Sequence, residues 1–437
     1  MNIKDMSESI QAFFLDMADK TAKATIFVQR KSKITGSLFL QIFVLGFLHN
    51  PTSSLNDLSE FCEDHYDVSI TSQGIDERIN NFALTFMKTM FNTAMKIFHH
   101  TCKIPLSIIE QFSAVNITDS TGISLPESLS DDFPGSGGSA SKSALKLQLV
   151  VDFLTGCFKT ITLTDGITPD QRYKEHIQMA EHNSLNMFDL GYFAVESLKA
   201  FAEKGAYFLC RLLHGTGIYL CDGTKVNLLQ LLKNETRDRF ELEIHLGAKI
   251  LFKCRLCCFR TPEKIANVRR RNAIQQAAKK GRTPCKESLE FMDWTIFVTN
   301  VPITMLLLEH IALLYSVRWQ IELIFKLWKS HMAIHMIAGF RKERILIELY
   351  AKLIGLVLFQ YVAMPLRSQN IDLSPTKIFK RFISRIEPLA DALKSLKHLI
   401  IEIERICSAM LKYGKREKRK KRLSTCQKLL AELCNYS

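Results

Sequence analysis

The stretch that most constrains this chain is LLYSVRWQIELIFKLWKSH, residues 313–331. Its apolar spacing predicts a single amphipathic helix. Tyr315, Arg318, Glu322 and Lys329 fall at offsets 0, 3, 7 and 14. At about 100° per residue that places four polar side chains inside an arc of roughly 60°. A helix facing a core would fill such an arc with apolar groups, so a carboxylate beside two cations and a phenol points to a site. The bland alternative is an ordinary i,i+4 surface pair between Arg318 and Glu322.

Composition removes several classes of partner. A chain of 437 residues, 47% hydrophobic and 23% charged, has the balance of an ordinary globular protein with room for several cores. The longest apolar run, LIGLVLF at 353–359, is far short of the roughly 20 residues of a membrane span, so no membrane partner is expected. The opening MNIKDMSESIQAFF carries acids and lacks the compact apolar stretch of a secretory signal, and a cytoplasmic location is expected. Twelve scattered cysteines suit reduced thiols. Cys254, Cys257 and Cys258 cluster, but a zinc site needs a second pair and Cys221 and Cys285 are isolated, so strand-borne core cysteines are expected.

The net charge of +14 is concentrated in two blocks. Residues 251–290 hold 11 Lys or Arg against 3 acids, and 412–423 hold 8 against 1, leaving the remainder close to neutral. Such blocks meet a polyanion or form solvated faces. For the tail KYGKREKRKKRL the two readings nearly coincide, because a basic segment displaces counterions from nucleic acid whether or not it is ordered.

Residues 1–105 read as an all-helical domain. Within it, a Ser-capped helix near 54–63 and a second helix begun by Thr71 or Ser72 have the shape of a helix-turn-helix, with Gln73, Glu77 and Arg78 able to reach a groove. Residues 1–100 carry 9 cations against 11 acids, poor electrostatics for a DNA reader, so a plain bundle stands beside that reading. From 106 to 214 the pattern becomes strand, strand, strand, helix, strand, helix, strand. The Gly- and Ser-rich PGSGGSASKS lacks the spacing of a phosphate-binding loop and reads as a connection. Residues 215–302 read as mostly β, broken by the basic helix IANVRRRNAIQQAAKKG. Residues 303–335 return to the Glu322 helix, and 336–437 are helical with a basic end.

Tyr, two residues, Arg, three residues, Glu, six residues, Lys resembles the YREK signature of DDE transposases of the insertion-sequence-four group. The order of elements is similar to that group's ribonuclease H-like fold with a β-rich insertion before the glutamate helix. The fold expected is therefore an α/β ribonuclease H-like catalytic core with a β-rich insertion, flanked by all-α N- and C-terminal regions. Two-metal phosphoryl transfer requires at least three hard oxygen ligands. Besides Glu322 the strand-associated candidates are Asp119, Asp152, Asp165, Asp189 and Asp222. Asp119 ends SAVNITD and precedes STGISLP, which resembles the family's first-aspartate motif. Asp189 precedes LGYF, similar to the Asp-x-Gly-Tyr-Phe of the second, with Arg211 following in the next strand. Asp152 and Asp165 read as strand and turn residues, and Asp222-Gly223 as a hairpin turn.

The resemblance implies a DNA transposase in which Asp119, Asp189 and Glu322 hold two Mg²⁺ ions, with Mn²⁺ a possible substitute. It implies cut-and-paste transposition by end hydrolysis, a hairpin at each end and strand transfer. Tyr315, Arg318, Lys329 and Arg211 then face the DNA. Trp294, in WTIFVTNV, lies where hairpin-forming relatives stack a Trp on a flipped base; a core Trp of the insertion is the other reading. Trp319 is expected in helix packing. The implied partners are double-stranded DNA, as terminal inverted repeats and target, and a second copy of the chain. The alternatives are another ribonuclease H-like nuclease, or a non-catalytic DNA-binding inhibitor of transposition.

Overall fold

A computed structural model describes residues 2–417 apart from His100, Pro105, Ser139, Ala140, Lys280 and Ile371. The second half of the basic tail, 418–423, lies outside the described residues. Nine strands are present among them: β1 (Val115–Leu125), β2 (Ser143–Asp152), β3 (Phe158–Asp165), β4 (Leu185–Phe188), β5 (Tyr207–Arg211), β6 (Ile218–Tyr219), β7 (Arg239–Leu246), β8 (Phe252–Arg260) and β9 (Trp294–Thr299). The chain divides into two units. Among the described residues one comprises 2–104, 120–168 and 320–417; the other comprises 106–119 and 169–319.

In the second unit the strand order is β1-β4-β5-β9-β8-β7-β6. β1, β4 and β5 are parallel; from β5 onward every pairing is antiparallel. The insertion thus continues the core sheet through β9. The parallel strands are buried on both faces, which explains why VNIT, LNMF and YFLCR read as nearly unbroken apolar runs. Their exceptions are informative. Asn116 and Asn186 are opposite each other in the register and both buried. The Asn116 amide donates to Asn186 Oδ1 at 3.0 Å, and the Asn186 amide donates to the Tyr207 carbonyl at 2.9 Å. A slip of one residue would strand these amides in an apolar layer, so they fix the register of all three strands.

Arg255, in β8, is a second buried tie. Its guanidinium donates to Glu241 and to the carbonyls of Val301 and Leu306, at 2.8 and 2.9 Å for the two carbonyls. It clamps the loop that leads into the helix Leu308–Ser316. Cys254, Cys257 and Cys258 are buried strand residues, as expected. Alternation along β8 sends Cys257 to the opposite face from the other two. Burial pushes the Cys257 thiol up to about 12, against the thiolate that zinc would need.

The single helix expected over 313–331 is two helices. Leu308–Ser316 ends and Trp319–His331 begins across a break at Val317 and Arg318. There the Val317 amide bonds to the Leu314 carbonyl and the Arg318 amide to the Tyr315 carbonyl, both at 3.0 Å, tightening the turn to three residues. The apolar periodicity passes through such a break unaltered, which is why the sequence hides it. Trp319, expected in packing, is 55% exposed.

The first unit holds β2 and β3 beside the second half of β1 in the order β3-β2-β1, together with the flanking helices. Among its described residues, 3–97 form helices and no strand. Ser54 caps Leu55–Tyr66 with a full capping box to Asp57. The element begun by Thr71 is only the five-residue helix Ser72–Asp76, too short to lie along a groove. Gly36–His49 is buried at every position from Gly36 to Leu48. It packs on Lys342–Gln369, where a Cβ on Gly355 would lie 2.8 Å from Leu48 Cγ. Lys342–Gln369 is long and apolar enough to cross a membrane, more than the seven-residue run conveyed, yet 94% of its apolar window is buried inside the protein. It is a core helix.

That helix carries a buried ion pair. Lys352 Nζ lies 2.7 Å from Glu348 Oε1, with side-chain exposures of 0% and 4%. Lys352 also donates to the carbonyls of Ala333 and Met336, and Glu348 accepts from the Ala338 amide. Burial lowers the Lys352 ammonium and raises the Glu348 carboxyl from their ordinary values, and each partner opposes the shift of the other. Removing one member leaves the other charge buried and alone. Lys352→Met is expected to cost about 3 kcal/mol in urea denaturation, and adding Glu348→Gln should recover part of it. A Lys352→Met loss below about 1 kcal/mol would contradict this account of the pair.

Candidate functional site

The register that the asparagines fix also aligns three charged side chains. β1 and β4 pair as far as Thr118 opposite Phe188, so Asp119 and Asp189 are the next residues of adjacent parallel strands. β4 and β5 pair as far as Met187 opposite Leu209, which brings Arg211 level with Asp189. Asp119, in β1 just past its parallel pairing with β4, Asp189, just past the end of β4, and Arg211, the last residue of β5, therefore stand in a row where the parallel part of the sheet ends, the side on which α/β sheets place their ligands.

Asp189 caps a short turn, Leu190–Tyr192, by accepting from the Gly191 amide at 2.8 Å. A Cβ on Gly191 would lie 3.0 Å from Asp189 Oδ1 and 3.1 Å from Asp170 Oδ2. Glycine there leaves room for two carboxylates, which gives the Asp-x-Gly pattern a steric reason. Asp170 carries no strand or motif signal in the sequence, and only the turn reveals it.

Tyr315 and Arg318 close over this row. The Tyr315 hydroxyl donates to the Phe188 carbonyl at 3.1 Å, at the strand end immediately before Asp189. Burial is the largest cause pushing its phenol well above the ordinary range, so it acts as a neutral donor. The Arg318 guanidinium, 5.9 Å from the Tyr315 ring centre, reaches Asp119 Oδ2 at 3.2 Å. Both members of that pair are mostly buried. The helix break places Tyr315 on one element and Arg318 in the turn, so their reach differs from that of a continuous helix. Glu322 and Lys329 belong to the first unit, in the first and last turns of Trp319–His331. Seven residues, about two turns and 10 Å, separate them on one face.

Beyond Leu190 the second unit has a cavity of about 1040 Å³ whose lining includes Arg211, His214, Arg269 and Trp294. Arg269 donates to the hydroxyls of Thr261 and Thr295. Burial, and then the neighbouring Arg211, lower its guanidinium from the usual value, so the wall is poised for an anion. Trp294 is 5% exposed, with the Phe240 ring centre at 5.6 Å and the Arg260 guanidinium at 4.5 Å. Its ring is part of the insertion's packing, and a base could stack on it only if one of those neighbours moved.

The remaining aspartate candidates bind local backbone: Asp152 and Asp165 end β2 and β3, and Asp222 lies in a turn. Asp165 accepts from the amide and hydroxyl of Thr168, Asp152 from the Leu154 amide and the Thr155 hydroxyl, and Asp222 from the Thr224 amide. Among the described residues no three His, Cys, Asp or Glu side chains stand as a preformed metal cluster. Asp119 and Asp189 supply two acceptor-only carboxylates side by side, a donor set that suits a hard divalent cation.

Comparison with known proteins identifies the family. Residues 110–358 match the model of the transposase DDE domain. The chain is 30% identical to the transposase for insertion sequence element IS1151 of Clostridium perfringens, over 86% of this chain and 84% of the relative. It is 28% identical to that of IS231E of Bacillus thuringiensis subsp. finitimus, over 78% and 75%. It is 22% identical to that of IS421 of Escherichia coli, over 74% and 84%.

The turn that carries Asp189 rests on a titratable group. His176 is buried, with the rings of Tyr173, Phe188, Tyr192 and Phe201 centred 5.4–5.8 Å away. Burial, and then Lys174, lower it to about 4. A folded value below the unfolded one of about 6.5 means the stability is fully present above pH 6.5 and is lost as pH falls toward 4. Thermal or urea titration should show a loss of about 3 kcal/mol across that window, absent in His176→Phe. Identical profiles for the two proteins would remove His176 as the cause.

Proposed function

Because the chain belongs to the DDE transposase family, we propose that it moves an insertion sequence by cut-and-paste transposition, with Asp119, Asp189 and Glu322 as its catalytic carboxylates. The observation that carries the reading is the strand register that sets Asp119 beside Asp189 where the parallel pairing of β1 and β4 ends. These three residues would hold two Mg²⁺ ions, with Mn²⁺ able to substitute. When bound, the ions supply a nucleophile active at neutral pH and charge stabilisation for the attacked phosphate.

The other residues bind and orient. Arg318 reaches Asp119 Oδ2, which sets a charge-assisted donor beside that carboxylate for a DNA phosphate. Lys329 and Arg211 provide further phosphate contacts, and Tyr315 keeps the Phe188–Asp189 backbone in place. Trp294 contributes as a wall of the cavity, which can receive DNA displaced at a hairpin end. Hydrolysis frees a 3′ hydroxyl, a hairpin forms and is resolved at each end, and the freed ends join to target DNA. The substrates are the terminal inverted repeats and a target duplex, and two copies of the chain bring paired ends together. The reaction takes place on nucleoid DNA in the bacterial cytoplasm.

The test is substitution of the carboxylates. Asp119→Asn, Asp189→Asn and Glu322→Gln should each reduce strand cleavage of a transposon-end duplex by at least about a thousandfold, with gel-shift affinity changed less than about threefold, since each removes a carboxylate charge while the amide keeps an acceptor oxygen for its local contact. Asp165→Asn should cleave like the wild type. Near wild-type cleavage by all three carboxylate variants ends the assignment, and a comparable loss in Asp165→Asn would show that the wrong second aspartate has been chosen.

A further inference from the structure

The buried Lys352–Glu348 pair holds something that the proposed chemistry does not use. Its three backbone contacts all fall on residues 333–338, the loop between the Glu322 helix and Lys342–Gln369. Met332 and Ile334 are buried anchors of that loop. Ala333 has φ of +44° and Gly339 of +97°, left-handed backbone that a loosely held loop would relax for a non-glycine residue. On the far side Arg341 donates to the Asp76 carboxylate at 2.6 Å, Arg344 reaches the same carboxylate, and Lys342 pairs with Asp132. All of these contacts lie within the first unit.

So much fixing is spent on a loop whose tip is apolar and in water. Phe340 is 78% exposed and Met336 is 56% exposed. A rigidly presented, solvated aromatic ring is expected where a flat partner will cover it. The surrounding charge selects the partner: of the five Lys or Arg at 326–344, Arg341, Arg344 and Lys342 pair with Asp76 and Asp132, and Lys326 and Lys329 supply the cations for a partner. Lys326 and Lys329, in the helix that leads into the loop, have no side-chain partner among the described residues. A ring among cations matches single-stranded nucleic acid, whose bases stack on aromatics while its phosphates meet the charge.

We propose that Phe340 stacks on an unpaired base at the end of a DNA duplex, and that loop 333–341 is a recognition element for opened DNA ends. The inference rests on the transposase reading. It adds a contact for bases that come out of the helix at an end, and it assigns that contact to a residue outside the YREK pattern.

The test uses a 30-base-pair duplex of arbitrary sequence, either blunt or carrying three unpaired bases at one terminus with 2-aminopurine among them. The wild type should bind the opened end about tenfold more tightly than the blunt one and change the 2-aminopurine emission. Phe340→Ala should lose that preference and that signal while binding the blunt duplex as before, and Phe340→Trp should keep both. Equal melting temperatures show that the variants are folded. Undiminished preference in Phe340→Ala overturns the inference. A change in its oligomeric state by light scattering, with preference intact, assigns the ring to contact between copies and overturns it as well. Failure of the wild type to bind any duplex would overturn the transposase reading, a result distinct from either.

Discussion

Two buried amides set the position of the Asp119, Asp189 and Arg211 row. Asn116 and Asn186 face each other across β1 and β4, and the second continues to β5 through the Tyr207 carbonyl. Parallel strands of Val, Ile, Leu and Phe could slide past one another with little change in apolar burial, whereas an amide moved out of register is left without a partner in a dry layer. Asp119, Asp189 and Arg211 inherit their alignment from that constraint, each a few residues beyond it on its own strand. Buried polar groups are thus used to specify one register, and the register creates the site.

Around the row, the supporting contacts converge on the backbone as much as on the carboxylates. Tyr315 holds the carbonyl before Asp189, Gly191 leaves space after it, and the aromatic ring set about His176 fills the layer beneath it. Arg255 fixes the loop from which the Tyr315 helix starts. Several of these residues carry no charge into the reaction, yet each limits where a carboxylate can go, and small errors in such placement are costly in catalysis.

The parts legible in the sequence are those with a local signature. Alternating apolar residues mark the strands, and fixed spacing marks Tyr315, Arg318, Glu322 and Lys329. Asp-x-Gly-Tyr-Phe marks Asp189, because its glycine answers to the aspartate two residues before it. Features made by long-range partners left no such trace. Asn116 and Asn186 are single polar residues in two apolar strings 70 positions apart, and Arg255 is one cation in a basic block. The break at Val317 keeps helical periodicity, so the pattern predicts one helix where there are two. Charge counting found the basic insertion but could not separate Arg269 and Arg270, spent on hydroxyls and on Asp293, from cations left for a polyanion. Exposure of Trp319 and Phe340 is likewise invisible to a pattern that treats every aromatic as core.

Asp119 and Asp189, aligned by the asparagine register, are proposed to form one cation site. Anomalous diffraction at the manganese edge from crystals of the protein with duplex DNA and Mn²⁺ tests it most directly. A peak is expected within about 2.5 Å of carboxylate oxygens from both aspartates, absent from crystals of Asp189→Asn. Manganese bound elsewhere, with no density against this pair, would contradict it.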